Sequence, residues 1–171
     1  PQEMQEDETS TSTTTSLSTS EISLDIQGNS VLLLSDDLHL SAETMLDGTD
    51  TLIVSAGTTL SGEATLDLHV VNEGLVSPGN SPGIQNVATF TNAPGATLLI
   101  EIEGNTAGVG GYDQINTSDG VAGAITLDGT IRFEVHPDFT PTLGETYQIL
   151  TYAPGGSIDG VFVDAEGLYG F

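Results

Sequence analysis

The chain has 171 residues, of which 25 are Asp or Glu and one is Lys or Arg (Arg132), for a formal charge of −24. Charged residues make up only 15% of it, against about 25% in ordinary globular domains, so the charge comes from missing bases rather than added acids. A chain with no basic patch cannot neutralise phosphates, which excludes nucleic-acid binding and docking on anionic membranes.

With no Cys there is no disulfide framework, no thiolate nucleophile and no Cys-based zinc site. A mean hydropathy of +0.03, with frequent Leu, Ile, Val, Gly and Thr, argues for an ordered domain with an appendage rather than wholesale disorder. No apolar run reaches the ~18 residues of a membrane helix, so no membrane insertion is expected. The chain opens on Pro1 with no basic and apolar leader pattern, and is read as a processed chain or a fragment.

Residues 1–20 form a polar arm, acidic to Glu8 and then almost entirely Ser and Thr. Such a composition buries too little apolar surface to order itself, which suits a solvated tail or a glycosylated stalk. Thr nevertheless pairs well in strands. The sharper expectation is that Thr11, Thr13, Thr14, Thr15, Leu17 and Thr19 add a strand to a neighbouring subunit's open sheet, with packing on its own subunit as the alternative.

Residues 21–83 carry an internal repeat. Leu24, Leu38, Leu52 and Leu68 fall in one column at near-equal intervals. Ile26, Leu40, Val54 and Val70 follow two places later, Gly28, Ala42, Ala56 and Asn72 four later, and Leu32, Leu46, Leu60 and Val76 eight later. Alternation of period two means β-strand, and a fixed period means stacked coils or a regular meander. The small residues at the fourth offset fit bends between closely stacked rungs.

Residues 84–171 read as longer strands: Val87–Thr91, Thr97–Glu103, Tyr112–Asn116, Ala124–Val135, Thr146–Tyr152 and Ser157–Asp164. Gly- and Pro-containing segments separate them, and Asp128-Gly129 between alternating apolar residues reads as a hairpin turn. The expected class is all-β: a short β-solenoid of the parallel β-helix kind over 21–83, continuing into a β-rich module over 84–171, with a β-sandwich as the alternative.

The corner of the repeat region is Ser77-Pro-Gly-Asn-Ser-Pro-Gly83. Pro78 and Pro82 fix φ, Gly79 and Gly83 are free to take φ > 0, and Asn80 can bond neighbouring backbone, so two consecutive Pro-Gly turns would make a stiff structural turn. With its preceding residues this stretch, Asn72-Glu-Gly-Leu-Val-Ser-Pro-Gly-Asn-Ser-Pro-Gly83, resembles a turn of bacterial autotransporter passenger regions and of surface exoproteins with autotransporter-associated β-strand repeats. Leu98–Ile102, Gly111–Ile115, Leu127–Ile131, Tyr147–Thr151 and Gly160–Phe162 resemble the same group. The resemblance implies a secreted, right-handed parallel β-helix with structural or adhesive duties.

Catalytic patterns are weak. Ser81 lies in Gly79-Asn-Ser-Pro-Gly83, superficially a Gly-x-Ser-x-Gly, but no helix is expected after it, so the strand-to-helix elbow is missing. No Gly-x-x-x-x-Gly-Lys-(Ser/Thr) phosphate loop occurs. His39 and His69 share a column position two rungs apart, about 10 Å at ~4.8 Å per rung, too far to share a metal. His136 carries no signal. Arg132 could pair Glu101, Glu103 or Glu134 as easily as bind a sugar acid, and a carboxylate pair for glycoside hydrolysis cannot be singled out. Asp36, Asp37, Asp50 and Asp67 fall before successive strands; if stacked on one edge they would repel, and calcium would relieve that.

No catalytic, cofactor or metal residue is therefore named, and calcium is the one cofactor entertained. The expected role is an extracellular or cell-surface structural protein that self-assembles as a homo-polymer into a fibre or surface layer, its arm complementing a neighbour. The alternative is a monomeric surface adhesin or carbohydrate-binding passenger fragment in contact with polysaccharide.

Overall fold

The computed structural model describes residues 31–79 and 81–167. The arm residues Thr11, Thr13, Thr14, Thr15, Leu17 and Thr19, the first repeat unit around Leu24, and Asn80 lie outside the described residues. In chain order the strands are β1 (Val31–Leu34), β2 (Leu38–Leu40), β3 (Met45–Val54), β4 (Thr59–Gly62), β5 (Thr65–Asn72), β6 (Leu75–Pro78) and β7 (Ile84–Asn92). They continue as β8 (Thr97–Ile102), β9 (Gln114–Thr117), β10 (Ile125–Leu127), β11 (Thr130–Val135), β12 (Leu150–Tyr152), β13 (Ile158–Gly160) and β14 (Asp164–Glu166). No helix occurs among the described residues.

The chain passes back and forth between two sheets. One runs β1-β3-β5-β7-β10-β13, with β9 on the first half of β7 and β12 on β9; the other runs β2-β4-β6-β8-β11-β14. Every strand pairing is parallel. Parallel neighbours with a sheet change between them are the coils of a β-solenoid, not the antiparallel layers of a sandwich. The sheets cross residue 83 without a break, since β5 pairs with β7 and β6 with β8.

Two apolar columns make the core. In the first sheet Leu32, Leu52, Val70, Phe90, Ile125 and Ile158 stand one above the other. In the second, Leu38, Leu60, Val76, Leu98, Ile131 and Ala165 do the same. Leu52, Leu60, Val76, Phe90, Leu98 and Ile125 are fully buried, and each such side chain contributes about 1.5–3 kcal/mol by leaving water.

These registers correct the repeat period. Leu38 stacks on Leu60 in the second sheet, whereas Leu52 stacks on Val70 in the first. The step from Leu38 to Leu52 joins the two facing walls of the solenoid, because both walls show the same period-two burial. The true rung neighbours in the first sheet are Leu32 and Leu52, then Leu52 and Val70, then Val70 and Phe90, each a longer step than the one that joins the walls. Leu60 and Val76, adjacent in the expected column, are true rung neighbours in the second sheet. Ala42 and Ala56 occupy turns at the corners, as their size suggests.

The Asp128-Gly129 hairpin is also corrected. β10 and β11 on either side of it enter different sheets, so the turn is a solenoid corner. Gly129 adopts φ 62°, and a Cβ there would lie 2.5 Å from the Ala96 carbonyl oxygen. The predicted strand Thr146–Tyr152 narrows to β12, and Ala124–Val135 divides into β10 and β11.

The corner is held by two fully buried amides. Asn72 Nδ2 donates to Asn92 Oδ1 (2.7 Å) and to the Thr97 carbonyl (2.9 Å), and Asn92 Nδ2 donates to the Asp128 carbonyl (2.8 Å). The Gly74 N–H in turn donates to Asn72 Oδ1. Replacing Asn92 with Ala strands buried partners on both neighbouring rungs, each worth about 1–3 kcal/mol. Asn92→Ala is expected to lower unfolding free energy by about 2–4 kcal/mol in urea titrations, whereas the half-buried Thr91→Ala changes it by less than about 0.5 kcal/mol.

Candidate functional site

Three places combine chemistry-bearing residues: the Ser77–Gly83 corner with Asp113, the flap formed by residues 136–149, and the last rung of the solenoid.

At the corner, β6 runs to Pro78, and Gly79 exchanges backbone hydrogen bonds with Gly62 (2.7 and 3.0 Å). Gly79 takes φ 96°, as expected of a Pro-Gly turn. The second positive φ falls on Ser81 (90°) rather than on Gly83, a conformation that L side chains rarely adopt. Gly83 is required for space instead: a Cβ would lie 2.5 Å from the Gly79 Cα and 2.8 Å from the Glu63 side chain. Strand β7 follows, so the elbow geometry of a serine hydrolase is absent at Ser81. Ser77, Pro78 and Pro82 are buried.

Asp113 ties this corner to the next coil. Its side chain is fully buried; Oδ1 accepts from the Gly83 N–H and Oδ2 from the Glu101 N–H, each at 2.8 Å. Burial pushes its carboxyl up to about 7, against the two backbone donors, and the charges of Glu101 and Glu103 add to the rise. Glu101 is itself raised, first by burial and then by Glu134 and Glu103. The register explains it, because Glu101 and Glu134 lie side by side on β8 and β11. Arg132 reaches Glu134 at 3.4 Å, the one expected ion pair that forms.

The flap leaves β11 at Val135 and returns to β12. Beneath it is a cavity of about 540 Å³, walled by Ile102, Phe133 and Val135 on the strand side and by Leu143, Tyr147 and Ile149 on the flap side. Glu145 closes the flap: it accepts from the Thr142 N–H (2.7 Å), the Tyr147 hydroxyl (3.0 Å) and Asn105 Nδ2 (2.9 Å). These donors hold its carboxyl below the usual range, the Thr142 N–H most. Tyr147 packs edge-on against Tyr112, ring centres 5.3 Å apart.

At the last rung, β12, β13 and β14 each pair on one side only among the described residues. Tyr152, Ile158, Val161 and Val163 are exposed there, although Ile158 continues the column that is fully buried at Phe90 and Ile125.

The remaining candidates do not converge. His39 and His69 lie on different sheets, paired with Ser61 (2.9 Å) and Thr89 (2.8 Å), which removes the shared column. Asp36 and Asp37 sit between β1 and β2, where Asp37 accepts from the Thr59 N–H (2.8 Å), whereas Asp67 lies within β5. They therefore do not line one edge. Asp113, Glu145 and the Asn72–Asn92 pair were not singled out by sequence reasoning. The two Asn are separated along the chain by the same step as Val70 and Phe90, so the correct period would have paired them; Asp113 and Glu145 carry no such signal.

No family model matches the chain, and neither does any curated protein or solved structure.

The Asp113 carboxyl sets a pH dependence. Between its ordinary value of 3.8 and about 7, the folded state holds a proton that the unfolded chain has released. Stability must therefore fall as pH rises through that window, by roughly 4 kcal/mol in all from this group. Asp113→Asn cannot titrate, and its Nδ2 would face a backbone N–H. It is expected to melt below the parent at pH 5, with the gap closing or reversing by pH 8.5. Parallel pH–Tm curves for the two chains would contradict the assignment.

Proposed function

We propose that the protein is an extracellular structural subunit that assembles head to tail into a fibre or surface layer, with the N-terminal arm of one copy adding a β-strand to the next. The observation that carries this reading is the last rung: three parallel strands that pair on one side only among the described residues, with a core column still exposed at Ile158. A row of unpaired backbone donors and acceptors is a template for another strand. Covering Tyr152, Ile158, Val161 and Val163 would add apolar burial to the main-chain bonds.

The composition supports the same reading. Residues 9–20 are Ser and Thr apart from Leu17, which suits a strand supplied from outside better than a self-contained core. The Ser77–Gly83 resemblance to autotransporter-type surface proteins points to export and to structural duty. The sides of the solenoid carry unbalanced acids, so lateral sticking is opposed by repulsion while end-on addition remains open. Contacts of this heterologous kind give open filaments when they do not close into rings.

Negative-stain imaging and sedimentation of the full chain test the reading. The full chain is expected to form filaments, and a chain lacking residues 1–20 to remain small. Val161→Lys with Val163→Lys is expected to block polymers while shifting Tm by only a few degrees. If the armless chain forms the same polymers, strand exchange is wrong; if the full chain is monomeric, the adhesin alternative takes its place.

A further inference from the structure

The cavity beneath the flap is not used by the assembly reading, and its chemistry is selective. Its volume of about 540 Å³ falls in the range of small-molecule sites, roughly 300–1,000 Å³. Its walls are apolar: Ile102, Phe133 and Val135 below, Leu143 and Ile149 above. Leu143 at the flap tip is fully exposed, so a large apolar side chain already stands in water beside the opening.

Among the described residues one charged group belongs to the lining, Glu145. Donors on Thr142, Tyr147 and Asn105 hold it in place and ionised. The hydroxyl of the exposed Thr142 bonds it as well, and an amine reaching Glu145 would take that hydroxyl's place among the about four acceptor positions of a carboxylate. No base balances it from within the lining. Arg132 precedes Phe133 on β11 and so projects from the opposite face, where it meets Glu134. His136, next to Val135, stands 4.0 Å from Asp138.

We propose that this cavity binds an apolar molecule bearing an amine, its hydrocarbon or aryl part entering between β11 and the flap and its N–H donating to Glu145. Charge complementarity decides the class. An amphiphile of the opposite sign, such as a fatty carboxylate, would bring its head group against Glu145 in a protein of net charge −24. A neutral alcohol fills the same space without the charged hydrogen bond. The proposal is independent of assembly, because the last-rung side chains Ile158, Val161 and Val163 are not part of the lining.

The test is calorimetric titration of the full chain, at physiological salt and pH 7, with octylammonium, octanol and octanoate. Saturable uptake of octylammonium is expected, about tenfold tighter than octanol, as one charge-assisted hydrogen bond implies, with octanoate weaker still. Glu145→Gln should reduce octylammonium to the level of octanol, and Val135→Phe, which fills the cavity, should abolish both. Glu134→Gln removes a charge outside the lining and should change neither, which separates the site from general attraction to an acidic protein. Equal binding of the three probes, or octylammonium binding insensitive to Glu145→Gln and Val135→Phe, overturns the proposal. So does the absence of saturable binding.

Discussion

The structure depends on parallel, in-register stacking of each coil on the one before it. Rungs lie ~4.8 Å apart, so a residue's nearest neighbours are its counterparts above and below. An inward position is therefore favoured when apolar on every rung or polar on successive rungs with its bonds closed; Gln85, fully buried beside Ile115 with neither amide atom paired among the described residues, departs from this. Leu32 through Ile158 meet the first condition; Asn72 and Asn92 meet the second, each amide satisfied by the next rung. A lone polar side chain in such a column would strand a donor in the core.

The same constraint explains where variation goes. A wall strand absorbs only small insertions, as the bulges between Asp47 and Thr51 of β3 and between Leu66 and His69 of β5 show, so longer added sequence leaves at the corners. The steps from Leu32 to Leu52, Val70 and Phe90 are short and nearly equal, whereas those from Phe90 to Ile125 and from Ile125 to Ile158 are much longer. The excess forms the excursion that leads to Asp113 and β9 and the flap of residues 136–149. Asn86, Asn116 and Thr151 bind β7, β9 and β12 together along this side ladder. Both the buried carboxyl and the cavity belong to these insertions, in keeping with the habit of rigid scaffolds to carry their chemistry on what they extrude.

The class of fold could be read directly, because period-two alternation without any helical stripe survives in nearly every segment. The period could not. Leu38 and Leu52 present the same pattern on opposite walls, and a half-turn of the solenoid is as regular as a full one. Asp128-Gly129 misled for a related reason: a tight Gly turn flanked by alternating residues serves a solenoid corner as well as a hairpin, and only the long-range partner of each strand distinguishes them. Asp113 was illegible because its significance lies in reaching Gly83 and Glu101 at once, two backbone donors on different parts of the chain. The Ser77–Gly83 stretch carries the chain from β6 to β7 in the other sheet, and its strain falls on Ser81, which composition would not nominate.

The charge then bears on how such a stack ends. Outward positions repeat from rung to rung just as inward ones do, so Glu101 stands beside Glu134 with Arg132 as the nearest base. In a chain of ordinary composition Lys would alternate with these acids and offer every wall to a neighbour. Here the walls repel their own kind, and the repulsion is strongest between copies lying side by side. A parallel solenoid also has two unlike ends, and an added strand continues the parallel ladder only if it runs in the direction of the strands already there. On the assembly reading, repulsive walls and directional ends work together: they leave growth along the solenoid axis as the route by which exposed strand edges become paired.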